Sequence, residues 1–514
     1  MTDRYFDWDN GSDFNDGLTA NTPKKTYSLS GTSNGDNFYF RRGTTQVVTT
    51  QYMGVRSGTS AANRTIYDVY GESQVDWAGF RAGHSFGDMI LNPSLGNFRD
   101  FSNLRFDATG VTHSLYCAAQ GATPTTDTSF TNCHFFNSNS SGCSVQQEAN
   151  ATAQPANFRF YNCEFYGNKA HGISIVGARG VRTENCVFRG NGFDSAFGGH
   201  GLTARYQRTE PSGGWTSMGA GVYRRALGAA ETTVYHVRNS VAADTRMTEN
   251  TSTPTTPASG EFGQSGGFLY VHVGGSDPGA NVSYAWGICD RIMVIGCVAY
   301  GNVWDRDYIY HEGHGFAFDD WTQDSAFLWC KSYNNQGLAF SINRGDRNTI
   351  MGCVGYDNWR GAVAINGSGR GNRILTSTFV NNALGTDPLN SEISISGPSA
   401  TDNTVRNCVI QGSVLYGVDF ANNASGCEAT YNAIRGYSDA VRNGTESNTV
   451  TDDPLLDSSY RPAAASPCID AGTYIPGARH YGGKRMSVVD PTIGAHGYWA
   501  ARSVADDRNV RRFG

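Results

Sequence analysis

Apolar residues in this chain recur at every second position in short runs, not at helical spacing. Gly172-Ile173-Ser174-Ile175, Gly201-Leu202-Thr203-Ala204, Gly315-Phe316-Ala317-Phe318, Gly337-Leu338-Ala339-Phe340 and Gly417-Val418-Asp419-Phe420 each open on glycine and then alternate. Period two marks a half-buried strand. A second phrase precedes these runs: Asn132-Cys133-His134-Phe135, Asn162-Cys163-Glu164-Phe165, Asn185-Cys186-Val187-Phe188 and Asn407-Cys408-Val409-Ile410. Variants are Gly296-Cys297-Val298, Trp329-Cys330-Lys331, Gly352-Cys353-Val354 and Ser377-Thr378-Phe379, with weaker copies at Leu104-Arg105-Phe106 and Asn432-Ala433-Ile434. At the cysteine position the series is 104, 133, 163, 186, 297, 330, 353, 377, 408 and 432.

Apart from one gap of 111 residues, the steps run from 23 to 33. Short strands at that period, separated by Gly and Asn turns, predict an all-β parallel solenoid in which each turn hydrogen-bonds to the next. Cys163 and Phe165 share parity, so both point inward. Most of the twelve cysteines read as buried free thiols stacked in that interior, with pairing between adjacent turns as the alternative. The gap predicts a β-rich excursion over 206–288. It holds loop-like Thr251-Ser252-Thr253-Pro254-Thr255-Thr256-Pro257 and a hairpin-like stretch from Gly266 to Gly275. The chain then divides into a cap and first turns (1–100), coil (101–205), excursion (206–288), continued coil (289–450) and a closing segment (451–514).

Composition narrows the picture. Glycine supplies 63 of 514 residues, too many for a helix-rich protein, and 15 prolines are too few for a Pro-rich linker protein. A net charge of −6 does not point to nucleic acid. No apolar run is long enough to span a membrane as a helix. The start, Met1-Thr2-Asp3-Arg4-Tyr5-Phe6, has neither a basic region nor an apolar stretch, so a secretory signal is absent or already removed.

The repeat resembles the right-handed parallel β-helix of pectate-lyase-like proteins. Asn10-Gly11-Ser12-Asp13-Phe14-Asn15-Asp16-Gly17 looks like the opening of such chains, and Gly35-Asp36-Asn37-Phe38-Tyr39-Phe40 looks like their first strand. Ser466-Pro467-Cys468-Ile469-Asp470-Ala471-Gly472 and Pro491-Thr492-Ile493-Gly494-Ala495 look like their close. The resemblance implies a fold that hosts lyases, hydrolases, epimerases and non-catalytic spikes.

Three turns carry His-Gly at one place: His171-Gly172, His200-Gly201 and His314-Gly315, with Gln336 and Arg360 in the turns that follow. This column reads as a substrate track or, by its parity with Phe316 and Phe318, as a structural ladder. The densest constellation is Glu312-Gly313-His314-Gly315-Phe316-Ala317-Phe318-Asp319-Asp320-Trp321, with Asp324 beyond. Phe316 and Phe318 point in, so Asp319 points out and Asp320 begins the turn. One period on, Asp320, Asn343 and Asn366 are expected in one column, with Asp319 and Arg344 alongside. Paired carboxylates on neighbouring strand ends suit glycoside hydrolysis, in which one acid protonates the leaving oxygen and the other carboxylate acts as base or nucleophile. The catalytic candidates are Asp319, Asp320, Glu312, His314 and Arg344. Trp321 is expected to offer a sugar a flat face, with Asn343, Asn366, Arg360, His200 and Asp324 as further contacts. Polygalacturonase-like hydrolases also use an Asp pair, a His-Gly element and a basic residue, although here His314 precedes the aspartates. A lyase would use a base and a cation on a uronate, for which Arg344, Arg347, Arg360 and His314 are placed. No acid cluster reads as a metal site, and no cofactor is expected.

The expectation is a phage tailspike, a homotrimer on the virion that meets other tail or baseplate proteins and depolymerises a bacterial surface polysaccharide. The alternatives are a secreted extracellular lyase, hydrolase or epimerase, and a non-catalytic carbohydrate-binding spike.

Overall fold

A computed structural model describes residues 1–496 except 51–52, 73–74, 84–88, 92–95, 120, 150, 194–198, 210, 212, 230, 232, 240–244, 274–276, 304–312, 368, 386–390, 398–399, 413–414 and 422–424. Its strands wind into a right-handed parallel β-helix. Among the described residues, three sheets of fourteen, twelve and eleven strands run the length of the coil, and one turn contributes a strand to each. Arg182–Glu184, Val187–Arg189 and Leu202–Arg205 are one such turn.

The Asn-Cys phrase has a backbone cause. Asn132, Asn162, Asn185 and Asn407 all sit at φ between 52° and 55°, at the corner between the first and second sheets. Asn103, Gly296, Trp329, Gly352, Thr376 and Tyr431 occupy the same corner in the other turns, also at positive φ. Asn and Gly enter the left-handed region at least cost, so they recur there. The next residue turns inward. All twelve cysteines are buried and unpaired. Burial pushes the thiols of Cys163, Cys186, Cys297 and Cys330 well up, which leaves them inert.

Strict register stacks like on like. Phe38, Tyr67, Phe101, Phe130 and Phe160 form one inner column with ring centroids 4.6–5.1 Å apart. Phe80, Phe106, Phe135, Phe165 and Phe188 form a second at 5.0–5.6 Å. Each offset pair contributes about 0.5–1.5 kcal/mol beyond the area it buries.

At the corner between the second and third sheets, Asn168, Asn191, Asn302, Asn335, Asn358 and Asn382 form a buried amide ladder. Each Nδ2 donates to the Oδ1 of the next turn at 2.7–3.0 Å. All donors run the same way, so Asn382 needs an acceptor beyond it. Glu392 supplies one, with Oε1 accepting from both the side chain and the backbone N–H of Asn382.

The excursion leaves after Leu202–Arg205 and, among the described residues, carries a four-stranded and a five-stranded sheet around its own core, which includes Trp215, Val237, Phe262, Leu269 and Tyr284. Glu261–Ser265 and Phe268–His272 make the hairpin, turning at Gly266 and Gly267 with φ 59° and 79°. The coil resumes without a break. Leu202 pairs with Phe316, and Val187 with Val298.

Candidate active site

The third sheet presents an outward column of small, mainly hydroxyl-bearing residues in register: Ser144, Ser174, Thr203, Ala317, Ser341, Ala364, Ser394 and Asp419. All except Ser174 are buried although they point away from the core. At 0–4% exposure the buried members are closed to a bound molecule, so the column marks the face rather than a surface that can be touched. It spans eight turns, about 34 Å at ~4.8 Å per turn. A second column runs beside it. Asn343 pairs with Asn366, and Ser396 Oγ donates to Asn366 Oδ1 at 3.0 Å. Asp319 follows Phe318, the partner of Ile342, and so stands level with Asn343.

Asp319 lies midway along this second column with its side chain 22% exposed. Thr203 Oγ1 donates to its Oδ2 at 2.8 Å, and His200 Nε2 lies 3.9 Å from the same oxygen. His200 Nδ1 accepts the backbone N–H of His314 at 3.3 Å. A neutral imidazole engaged in that way carries its proton on Nε2, the atom facing Asp319. Oδ1 of Asp319 has no hydrogen-bond partner among the described residues.

The histidine column is a ladder. His171, His200 and His314 stack at 5.0 and 4.8 Å, and each Nδ1 accepts a backbone N–H from the next turn, ending at Leu338. Burial pushes His171 and His314 well below the usual imidazole range. His314 is buried in this stack, as its parity with Phe316 and Phe318 implied, and its place as a catalytic candidate is corrected to the structural ladder. Leu338 N–H, not Gln336, meets His314 in the following turn. Arg360 lies half-buried near that end, where its charge also disfavours protonation of His314.

The two aspartates diverge. Asp320, at φ 37°, turns under the excursion, where Arg344 Nη1 donates to Oδ1 at 2.6 Å and Arg208 Nη1 donates to Oδ2. Both its oxygens are occupied, so the pairing of Asp319 with Asp320 across one glycosidic bond is corrected. It is also Asp319, not Asp320, that shares the column of Asn343 and Asn366. The one-residue offset arises because the strand ends at Phe318 and the chain turns left-handed at Asp320 and Trp321. Trp321 is 1% exposed and stacks on His236 of the excursion at 5.9 Å, so it offers no face to a sugar. Arg344 serves Asp320. Asp324 is held by both nitrogens of an Arg347 fork at 2.7 Å, in the turn between the third and first sheets. Glu312 lies outside the described residues.

Sequence reasoning missed Thr203 as a partner of Asp319. Strand register alone would have revealed it once the 111-residue gap was closed, since Thr203 pairs with Ala317. It also missed the docking set of the excursion: Arg208 on Asp320, Arg246 on Asp346 and His236 on Trp321. No periodicity marks those residues. Replacing Asp320 by Asn would remove one of the two oxygens that Arg344 and Arg208 share and set an N–H donor against a guanidinium, at a cost of about 1–3 kcal/mol. Limited proteolysis should then cut the Thr- and Pro-rich loop 251–257 faster than in wild type. Equal cleavage rates would show that the ion pairs do not hold the excursion down. Among the described residues, no three His, Cys, Asp or Glu side chains converge to hold a metal ion.

Residues 113–221 match the family described as the right handed β-helix region. A comparison with curated proteins finds no significant match. Among solved structures, the A-module of mannuronan C-5 epimerase AlgE6 of Azotobacter vinelandii is similar at 12% identity and a TM-score of 0.50, covering 81% of this chain and 91% of that one. Pectate lyase Pel9A is similar at 12% identity and a TM-score of 0.39, covering 97% and 96%. The GH136 lacto-N-biosidase of Eubacterium ramulus is similar at 11% identity and a TM-score of 0.46, covering 88% and 67%. At these identities the likeness is one of fold.

Proposed function

We propose that this chain is a phage tailspike that depolymerises a bacterial surface polysaccharide along the outer face of its third sheet. The observation that carries the reading is the half-buried column in which Asp319 stands in register with Asn343 and Asn366, a carboxylate followed by amides turn after turn. A row that repeats at each turn suits a polymer, whose rings repeat too, better than a compact ligand. Asp319 handles the proton in this scheme. Its free oxygen meets the substrate, while Thr203 and the Nε2–H of His200 hold the other. Asn343, Asn366 and Ser396 line the next positions along the chain of sugars. With Asp320 held by two arginines, Asp319 is a single carboxylate, which with exposed Arg205 meets the needs of elimination from a uronate. Hydrolysis is the second reading and requires a second carboxyl group, supplied by the substrate or by residues outside those described. Twelve buried unpaired thiols support synthesis and assembly in a reducing compartment, as a virion protein requires.

Native mass by light scattering, followed by a screen of capsular and O-antigen polysaccharides, tests the reading. A detergent-resistant species of three chains of 55.5 kDa that shortens one of these polymers is the expected result. New reducing ends without the ultraviolet absorbance of an unsaturated sugar would identify hydrolysis. A monomer that acts on a soluble uronate polymer would replace the tailspike by a secreted enzyme. Binding without shortening would leave a non-catalytic spike.

A further inference from the structure

The outer face of the third sheet carries a second polar cluster, away from Asp319. In register, Arg205 stands one turn before Asp319, Val176 before Arg205 and Gln146 before Val176. Gln146 is therefore three turns from Asp319, about 14 Å at ~4.8 Å per turn. Tyr116, opposite Ser144, is one turn further on. Three side chains close on one another there. Gln146 Nε2 donates to Tyr116 Oη, and Tyr116 Oη donates to Glu148 Oε1 at 2.5 Å. All three are half-buried, so each keeps part of its surface in water.

Glu148 is the informative member. Its Oε2 has no hydrogen-bond partner among the described residues, and its carboxylate forms no ion pair among them. Other carboxylates on the outside of the coil are spent on cations: Asp290, Asp320, Asp346 and Asp419 each hold an arginine. Asp319 is held differently, with one oxygen on a hydroxyl, the other without a partner and no arginine in contact. Glu148 repeats that arrangement, with the phenol of Tyr116 in the place of Thr203. A structural carboxylate gains most from a cation. One that is oriented by neutral groups keeps its charge and an open oxygen for donors that arrive from outside. At the opposite end of the face Asp419 is closed, since Arg442 grips both its oxygens and lies over the Tyr416 ring at 3.9 Å.

We infer that Glu148 binds a neutral, hydroxyl-rich sugar unit three to four turns from the point of cleavage, and that the substrate is a heteropolysaccharide with neutral units between its acidic ones, not a uniform polyuronate. Two neighbouring ring hydroxyls donate to the open side of the carboxylate, while Tyr116 and Gln146 hold it in place as positioning residues. The sign of the charge makes the selection. Exposed Arg205, next to Asp319, attracts an acidic unit, whereas Glu148 repels one and accepts only donors. The inference builds on the reading that Asp319 and Arg205 act on an acidic unit of a polymer.

The test compares two full-length proteins, Asp319→Asn and Asp319→Asn with Glu148→Gln, for affinity to immobilised polysaccharides. The probes are a panel of bacterial capsular heteropolysaccharides with one uronate per repeat, and polygalacturonate as the uniform polyuronate. The Asp319→Asn protein should bind at least one heteropolymer more tightly than polygalacturonate. Adding Glu148→Gln keeps an oxygen for the Tyr116 hydroxyl but turns the open oxygen into a donor. It should weaken heteropolymer binding by about tenfold or more, the worth of one charge-assisted hydrogen bond, and leave polygalacturonate binding equal or improved. In the cleaving protein, Glu148→Gln alone should raise KM by a similar factor with kcat unchanged, because the cluster is far from the reacting atoms. Tyr116→Phe, which frees the carboxylate without removing it, should lose less. Equal affinities with and without Glu148→Gln, a preference for polygalacturonate, or binding to no polymer would each overturn the inference. An Asp319→Asn protein that still cleaves at the wild-type rate would instead overturn the reading of Asp319, and the same affinity comparison would still decide the role of Glu148.

Discussion

Asp319→Asn should lower the rate of glycan cleavage by about 10²–10⁴-fold without changing the melting temperature or the affinity for uncleaved polymer. Asn keeps the shape of Asp319 and still accepts the hydroxyl of Thr203 through its amide oxygen, so its surroundings are undisturbed. What it loses is the basic oxygen that takes or returns a proton. The prediction is specific to this aspartate. Asp320 has both oxygens bound by arginines, and Asp324 is paired in the turn that follows, so their Asn variants should retain the chemistry of the folded fraction. Thr203→Val should fall between the two. It withdraws the hydrogen bond that orients Asp319 while leaving the carboxylate in place, which makes Thr203 a positioning residue. An Asp319→Asn protein that cleaves at the wild-type rate would remove the catalytic centre from this face and leave a binding surface.

The second large effect concerns stability and pH. Glu392 ends the amide ladder fully buried, and burial raises its carboxyl from 4.5 to about 7. Its Oε2 lies beside the Tyr437 hydroxyl with no close partner. The folded protein therefore holds this proton more tightly than the unfolded chain does. The stabilisation is complete below about pH 4.5, declines as the pH rises to about 7 and is gone above that. The ionised form above pH 7 costs the fold about 3 kcal/mol. Glu392→Gln keeps the acceptor that Asn382 requires and supplies an N–H toward Tyr437, with nothing to ionise. Above about pH 7 it should be more stable than wild type by about that amount, with the advantage vanishing below about pH 4.5. Denaturant unfolding of both proteins at several pH values tests this. Parallel stability curves would mean that Glu392 ionises without penalty.

How much of this was legible in the sequence depends on the range of the interaction. The coil itself was. Register in a parallel stack repeats each local choice once per turn, so the Asn-Cys phrase, the alternating runs and the inward cysteines are written directly into the chain. The left-handed corner explains why Asn and Gly recur where they do, and the position of the excursion follows from the one interval that breaks the period. Asp319 was legible as an outward residue by parity with Phe316 and Phe318.

Its neighbours were not. Thr203 is 116 residues away along the chain, and the contact exists only because the coil closes over the excursion as if it were absent. Asp320 and Trp321 look like parts of a sugar site in the linear sequence. Two left-handed residues at the strand end swing them under the excursion, where Arg208 and His236 bury them. The amide ladder and its Glu392 terminus were hidden for the same reason: an Asn in a turn reads as turn chemistry until the next turn is stacked upon it. Sequence alone determined what repeats, because a solenoid translates local pattern into structure turn by turn. Tertiary structure decided what does not repeat, because the side chains that an irregular insertion covers depend on contacts between residues far apart in the chain.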